Sequence, residues 1–318
     1  MKIDDNERIK DFYNYINNYK FIAHRLGFKM EGYPENSINN LYSILSNKRS
    51  LNTINGLEFD IRFSKDHIPV VIHDSNTSDV SESNKIIEIT YLKELKELIF
   101  GYRKSDYNSD IPWIENNTFN IITLDEILSL LYENKRLIND KIIKIETKSI
   151  KINKEDLIAF NNILNKYKSL NDNIIHISFF PWNLKMLRIL QKNNNERLTK
   201  TEFLSDFHFE RIAENHYNSY FDGISLGVKE TKVDGNIKIN KAAEKISNLT
   251  EFFNNKRNAV DQDWLEKIIK SYGYAGIYTI NDRNSILEFV SRVSSDFLKE
   301  NSNKIYITSD NPKYLKKI

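Results

Sequence analysis

Hydrophobic positions along the chain fall into nine short, almost continuously apolar segments. Between them lie longer segments in which apolar residues recur every three or four positions. The first pattern is typical of strands buried in a parallel sheet, and the second predicts amphipathic helices. The strand candidates are residues 21–24, 56–62, 69–73, 142–147, 174–179, 199–204, 221–226, 274–280 and 304–308. The clearest helix candidates are residues 36–48, 123–133, 155–167, 182–192 and 261–272.

Strands that alternate with helices in this way predict βαβ units and a parallel sheet. We expect an α/β fold, a single (β/α)8 TIM barrel spanning residues 1–318, with an N-terminal helix within residues 1–20 packed on the barrel. Nine candidates compete for eight positions, and we expect 199–204 or 221–226 to be short or irregular. An open doubly wound sheet is the alternative, but HRLGFKMEG after the first strand lacks the GxGxxG phosphate loop.

Local signals mark helix starts and two long interruptions. Ser37 or Asn36 can cap the first helix, and Thr123 with Glu126 forms a capping box for the second. Residues 75–120 show little strand pattern and are predicted to be an insertion after the third strand. Residues 227–260 are polar and charged, and they predict a loop with an embedded helix.

Composition excludes several classes of protein. The 318 residues contain no cysteine, which excludes a disulfide framework, a thiolate zinc site and a cysteine nucleophile. The net charge of +2 carries no concentrated basic stripe, which argues against a dedicated nucleic-acid binder. No run of about 18 apolar residues is present, and the first residues lack a secretory h-region. We therefore expect a cytoplasmic protein without stable membrane insertion; the oligomeric state is left open.

Ionisable side chains gather where four successive strand candidates end. They are His24 and Arg25, Glu58 and Asp60, His73 and Asp74, and Glu146 and Lys148. Residues two apart on a strand point to the same side. In a barrel, the C-terminal ends of the strands form the active-site face. The sequence therefore predicts that these side chains converge there.

The residue types indicate chemistry at phosphorus. Three carboxylates suit a hard divalent cation such as Mg²⁺, Ca²⁺ or Mn²⁺. Two histidines provide an acid and a base near neutral pH, and Arg25 and Lys148 can hold a phosphate. As an alternative, Glu58 and Asp60 would only form salt bridges with Arg25, Arg62 or Lys148, and Lys148 would be a solvated strand-end residue.

Three motifs carry a resemblance to a known family. IAHRLG…PENS, GLEFDIRFSKDHIPVVIHD and IIKIETK resemble HRG…PENT, E-x-D…K-D-G-x-P-V-V-x-H-D and E-x-K of the glycerophosphodiester phosphodiesterase family. That family lies in the phosphatidylinositol phospholipase C-like phosphodiesterase superfamily of TIM barrels. IITLDEILSLL, ISF, YTIND and ITSDNP also align, so the resemblance covers roughly residues 21–313. Leu26 and His67 stand where the family has glycine.

The resemblance implies a role for each matched residue. His24 and His73 would be the catalytic acid/base pair. Glu58, Asp60 and Glu146 would bind one divalent cation, Mg²⁺ or Ca²⁺, with Mn²⁺ as a further option. Arg25 and Lys148 would contact the phosphate, and Glu35 and Asn36 would hold the site in place. Trp182 and Tyr278 are candidates for the pocket, Asn281 could contact substrate, and core packing is an equal alternative for Trp182.

We expect metal-dependent hydrolysis of a small-molecule phosphodiester, a glycerophosphodiester giving sn-glycerol 3-phosphate and an alcohol. Attack by water and attack through a cyclic phosphate both stay open, as does which histidine is the acid. Alternatives are a phospholipid headgroup or a phosphate-containing glycopolymer as substrate, and a catalytically silent barrel that acts as a binding protein. Among the other histidines, we expect His67 in a surface turn, His176 in the core, and His208 and His216 exposed.

Overall fold

Eight parallel strands close into a barrel in the computed structural model, which describes residues 5–104, 117–205, 218–228 and 260–316. The barrel closes because β1 pairs in parallel with both β2 and β9. The predicted TIM barrel is therefore confirmed. The strands are β1 Lys20–Ala23, β2 Gly56–Phe63, β3 Pro69–Val71, β4 Ile142–Thr147, β5 Ile174–Ser178, β6 Lys200–Ser205, β7 Gly223–Gly227, β8 Ala275–Tyr278 and β9 Ile305–Ser309.

β3 lies outside the barrel, which corrects the assignment of strands to barrel positions. It pairs antiparallel with the end of β2, with Ile61 opposite Val71. Our expectation that 199–204 or 221–226 would be the irregular strand is wrong, because β6 and β7 pair in parallel on both sides. The connection at residues 64–68 explains the difference. Parallel neighbours need a crossover of about a dozen residues, whereas five residues suffice for a hairpin.

The described helices surround the barrel and confirm the five predicted ones with small shifts at their ends. Ser37 caps α2, and the Thr123–Glu126 capping box opens α5. Within the described ranges, none combines the length and hydrophobicity that a bilayer-spanning segment needs. The helices are α1 Asp5–Asn14, α2 Ile38–Ser46, α3 Lys48–Thr53, α4 Leu92–Lys96, α5 Leu124–Glu133, α6 Lys154–Lys166, α7 Pro181–Asn193, α8 Gln262–Tyr272, α9 Arg283–Val290, α10 Ser295–Asn301 and α11 Pro312–Leu315.

Packing on the outside of the barrel follows the apolar faces of the helices. α1 lies against α9 and α10, where Phe12 stacks on Tyr19 at 5.0 Å and meets the edge of Phe289. The described part of the insertion after β3 has its own small core, which packs on the β2–β3 hairpin. Its buried members are Val70, Ile72, Val80, Ile87, Leu95, Phe100 and Ile121. Most of the predicted loop at 227–260 lies outside the described residues, and so do His208 and His216.

A buried polar network crosses the interior of the barrel. Lys144 on β4 and Glu202 on β6 are both fully buried, and their Nζ and Oε1 atoms lie 2.5 Å apart. Ser225 donates a hydrogen bond to Glu202, and the Tyr274 hydroxyl donates to the other carboxylate oxygen at 2.8 Å. Any side chain at Gly276 would overlap the Ser225 hydroxyl. The network therefore depends on a glycine in the neighbouring strand.

We expect Lys144→Met to lower the free energy of unfolding by about 3–5 kcal/mol, because it leaves the buried Glu202 carboxylate without a positively charged partner. The double variant Lys144→Met/Glu202→Leu should recover most of that loss, since neither charge then remains. Urea unfolding followed by circular dichroism measures both. A single variant as stable as the wild type would contradict the prediction.

His176 lies in the core, as expected, on β5 and facing the helix α6. Its Nε2 is 2.9 Å from the Thr147 hydroxyl, and its ring meets Phe160 edge-on at 5.1 Å. Burial lowers the pKa of His176 to about 3. The folded protein therefore keeps this imidazole neutral at pH values where the unfolded chain protonates it.

This difference predicts a loss of stability in acid. Below the unfolded pKa of about 6.5, protonation of His176 favours the unfolded chain, and the effect continues down to the folded pKa. Between about pH 7 and about pH 5 the wild type should lose about 2 kcal/mol more than His176→Gln. Urea unfolding at several pH values tests this. Parallel stability curves for the two proteins would show that His176 does not titrate as its burial implies.

Candidate active site

Three carboxylates meet at the C-terminal end of the barrel. Glu58 and Asp60 point inward from β2, and β4 places Glu146 beside Asp60 in the strand register. One oxygen from each residue lies within 4.8 Å of the other two, and all three side chains are buried. The structure thus brings together the three residues that the sequence indicated as metal ligands.

Asp60 is surrounded by positive groups and donors. Its carboxylate lies 3.2 Å from Lys148 Nζ and 3.6 Å from Arg25 Nε, and it accepts a hydrogen bond of 2.9 Å from Asn36. Burial by itself would raise the pKa of Asp60, but Lys148, His73 and Arg25 together hold it far below its usual range. Asp60 is therefore ionised even without a bound cation.

The other two carboxylates have less support than Asp60. Burial, together with Asp60 and Glu146, raises the pKa of Glu58 well above its usual value. Burial also raises the pKa of Glu146 to about 7, although Lys148 opposes this at 2.7 Å. Glu58 accepts a hydrogen bond from the Arg25 backbone, but its buried Oε1 has no hydrogen-bond partner among the described residues. A hard divalent cation fits this site, because it would satisfy Glu58 and add the missing positive charge.

His24 is held by a carboxylate from the last strand. Its Nδ1 lies 2.6 Å from Asp310 Oδ1, and Asn281 donates a hydrogen bond of 2.7 Å to the other oxygen. The second ring nitrogen, Nε2, is 3.8 Å from Glu58. A carboxylate at Nδ1 fixes the orientation of the ring, and His24 lines the cavity described below. Asn281 is thus placed behind His24.

His73 reaches the same face through the β2–β3 hairpin, and it has an equivalent partner. Its Nδ1 lies 2.6 Å from Asp74, and Arg62 donates a hydrogen bond of 2.8 Å to its carbonyl oxygen. Arg103 holds Asp74 in turn at 2.8 Å. Burial lowers the pKa of His73, partly offset by Asp60. Both predicted histidines are thus fixed by an aspartate.

Glu35 connects the two halves of this arrangement. It receives the Arg25 guanidinium at 2.6 Å and the Arg103 guanidinium at 2.7 Å, and it is buried. Each of the two arginines also pairs with a second carboxylate, so Glu35 helps to position both guanidinium groups. Arg25 contacts Asp60, and Arg103 contacts Asp74.

Sequence reasoning missed two of these residues. Asp310 follows β9 in ITSDNP. Like His24, it is a polar residue at the end of a strand, and that signal was enough to find it. Arg103 lies in the insertion, where no periodic pattern indicates what it contacts. Its position was set by tertiary packing alone.

A cavity of about 160 Å³ opens beside the carboxylates and reaches down to Lys144 and Ser225. Tyr278 lines it, packed edge-on against Phe179. Trp182 does not; it is 38% exposed and donates a hydrogen bond to the Ile150 carbonyl. The structure therefore places Tyr278, but not Trp182, on the wall of this cavity.

Leu26 and His67 keep a backbone that favours glycine. Leu26 has φ of 60° and His67 has φ of 62°, both in the left-handed region. Leu26 is fully buried, so its side chain gains packing that a glycine would lack. His67 lies in the hairpin turn, as expected, with Nδ1 2.8 Å from Asp156. Both residues thus adopt a backbone conformation that glycine reaches without strain.

Comparison with known proteins gives one match at the level of sequence families. Residues 30–206, more than half of the chain, match the model of the Glycerophosphoryl diester phosphodiesterase family. The matched region contains His73, the three carboxylates and Lys148, whereas His24 and Arg25 precede it. No match was found among curated protein sequences.

Solved structures are similar over nearly the whole chain. An Oleispira antarctica phosphodiesterase in complex with the product sn-glycerol-3-phosphate is 18% identical, with a TM-score of 0.61, covering 94% of this chain and 95% of that one. A glycerophosphodiester phosphodiesterase from Parabacteroides distasonis is 19% identical, with a TM-score of 0.60 and coverage of 94% and 96%. One from Thermotoga maritima is 22% identical, with a TM-score of 0.54 and coverage of 94% and 97%. At these identities the likeness shows a shared fold.

The carboxylate cluster predicts binding of a divalent cation. We expect Mg²⁺, Ca²⁺ or Mn²⁺ to bind the wild type, and Glu58→Gln to weaken binding about tenfold or more. Affinity should fall as the pH drops below about 7, because protons then occupy Glu58 and Glu146 in competition with the metal. Calorimetry at several pH values measures this, with Glu133→Gln on the exposed face of α5 as control. Equal affinity in wild type and Glu58→Gln would place the metal elsewhere.

Proposed function

The chain belongs to the glycerophosphoryl diester phosphodiesterase family and is a phosphodiesterase, and we propose that it hydrolyses a glycerophosphodiester to sn-glycerol 3-phosphate and an alcohol. One observation carries the proposal: two histidines, each fixed through Nδ1 by an aspartate, lie beside three buried carboxylates. The Oleispira antarctica structure, which holds sn-glycerol-3-phosphate as product, supports the choice of product.

In the proposed reaction one histidine accepts the proton of the attacking hydroxyl, and a new bond to phosphorus forms. The bond to the leaving alcohol breaks, and the other histidine donates a proton to that oxygen. Asp310 and Asp74 stabilise whichever imidazole carries the positive charge. The same pair serves attack by water and attack by a neighbouring hydroxyl of the glycerol, since both need one proton removed and one supplied.

Glu58, Asp60 and Glu146 would hold the divalent cation, Mg²⁺ or Ca²⁺ in our proposal. When bound, that ion supplies positive charge against the nonbridging phosphate oxygens. Lys148 and Arg25 lie next to the same carboxylates, at 2.7 Å from Glu146 and 3.6 Å from Asp60. We infer that they share the phosphate charge, because each presents donors to the face where it would lie.

The non-catalytic alternative has little support. A barrel used only for binding would not need to keep both histidines, all three carboxylates and both cations. All seven occupy one face in the described structure. A phospholipid differs from a glycerophosphodiester in the acyl chains on its glycerol. Hydrolysis of its phosphodiester uses the same chemistry, so the choice between them is a question of substrate range.

Release of choline from glycerophosphocholine tests the proposal. We expect release to require added Mg²⁺ or Ca²⁺, and His24→Ala and His73→Ala each to lower kcat by about 10²–10⁴-fold. Lys270→Ala, exposed on α8, serves as a control for expression and folding. The pH–rate profile of the wild type should be bell-shaped, and each histidine variant should lose one limb. Full activity in either variant, or a flat profile in the wild type, would refute the acid/base assignment.

A further inference from the structure

A second, larger cavity opens beside the catalytic residues. This groove has a volume of about 510 Å³ and runs between the β2–β3 hairpin and the loop that follows β4. It adjoins the site, because Lys148 lines both the groove and the smaller cavity at the carboxylates. Ser75, two residues beyond His73, lines it as well. A substrate held at the carboxylates can therefore extend into it. Its basic lining residues are Arg62, Lys65, His67, Lys148 and Lys151.

Two of these basic residues pair with carboxylates within the groove. Arg62 lies 3.0 Å from Glu88, and His67 lies 2.8 Å from Asp156. These two carboxylates are the acidic residues of the lining. The two carboxylates of the lining therefore pair with Arg62 and His67, and neither pairs with a lysine of the groove.

Lys65 and Lys151 supply the surplus of positive charge. Both are exposed, and neither forms an ion pair with any carboxylate among the described residues. The Lys65 ammonium lies 4.4 Å from the centre of the Tyr91 ring, which holds it without neutralising it. One lysine comes from the hairpin and the other from the β4 loop, so they face the groove from its two walls.

We propose that the groove binds a second phosphate of the substrate, carried by the part of the molecule beyond the bond that is cleaved. This inference rests on the proposed function, which places the first phosphate at the carboxylates. Its ligand is a phosphodiester with a repeated phosphate, such as a chain of glycerol phosphate units. Two unpaired ammonium groups suit one further phosphate, and the exposed Ser75 adds a hydroxyl donor. The groove disfavours a cationic group such as choline, because its free charges are positive.

The volume agrees with a substrate of more than one unit. Small-molecule sites commonly measure about 300–1,000 Å³, which includes the groove, whereas the cavity at the carboxylates is far smaller. The small cavity fits the group next to the first phosphate. The larger groove fits a following unit with its own phosphate.

Binding can be tested separately from turnover with two compounds that differ by one terminal phosphate, glycerophosphoglycerol and glycerophosphoglycerophosphate. We would load His73→Ala with Mg²⁺, which prevents cleavage under the proposed mechanism, and measure both Kd values by calorimetry. The compound with two phosphates should bind about five- to tenfold more tightly. Adding Lys65→Gln and Lys151→Gln should remove that difference, and adding Lys270→Gln and Lys299→Gln should not. Equal Kd values for the two compounds would overturn the groove assignment.

Turnover by the otherwise wild-type protein then separates the two proposals. We expect Lys65→Gln/Lys151→Gln to raise KM about five- to tenfold for the compound with two phosphates, with kcat unchanged. KM for glycerophosphoglycerol should stay the same. Cleavage of both compounds with equal KM would overturn the groove and leave the phosphodiesterase proposal standing. Cleavage of neither, with a lysine-dependent difference in Kd, would overturn the proposed substrate and leave the groove as an anion site.

Discussion

The site is organised around three buried carboxylates, with one oxygen of each lying within 4.8 Å of the other two. Buried carboxylates are costly unless positive charge or hydrogen-bond donors reach them. Asp60 meets this need through Lys148, Arg25 and Asn36. Glu146 shares Lys148 with Asp60, and Glu58 accepts a backbone hydrogen bond, but the pKa values of both stay raised. The cluster is therefore a site that the protein leaves incomplete, and a divalent cation would complete it.

The surroundings of the cluster position two histidines by the same device. Each has a carboxylate on Nδ1, from Asp310 for His24 and from Asp74 for His73. The aspartates are themselves held, one by Asn281 and the other by Arg103. Rings fixed in this way would lose less entropy in the proposed proton transfer, because their orientation is set before a substrate binds. In that proposal, residues that need not touch the substrate orient both imidazoles.

Charged residues have different surroundings in the barrel interior and in the groove. In the interior, Lys144 and Glu202 neutralise each other, and hydroxyl groups complete the network. In the groove, Lys65 and Lys151 are left without carboxylate partners among the described residues, facing solvent. A paired buried charge contributes to a defined packing arrangement, whereas an unpaired exposed charge is available to a ligand. Because of this difference, we propose that an anion binds in the groove and not in the interior.

The sequence alone predicts the strand segments, five of the helices, the barrel, and the histidines, carboxylates and cations that meet at its C-terminal face. It could do so because buried parallel strands are continuously apolar, and a charged residue such as Glu146 within one stands out. Tertiary packing alone brings Arg103 to Glu35 and Asp74 and pairs Lys144 with Glu202. Those contacts join residues far apart in the chain. Local periodicity records which face is buried, but it carries no information about what a distant polar side chain will meet there.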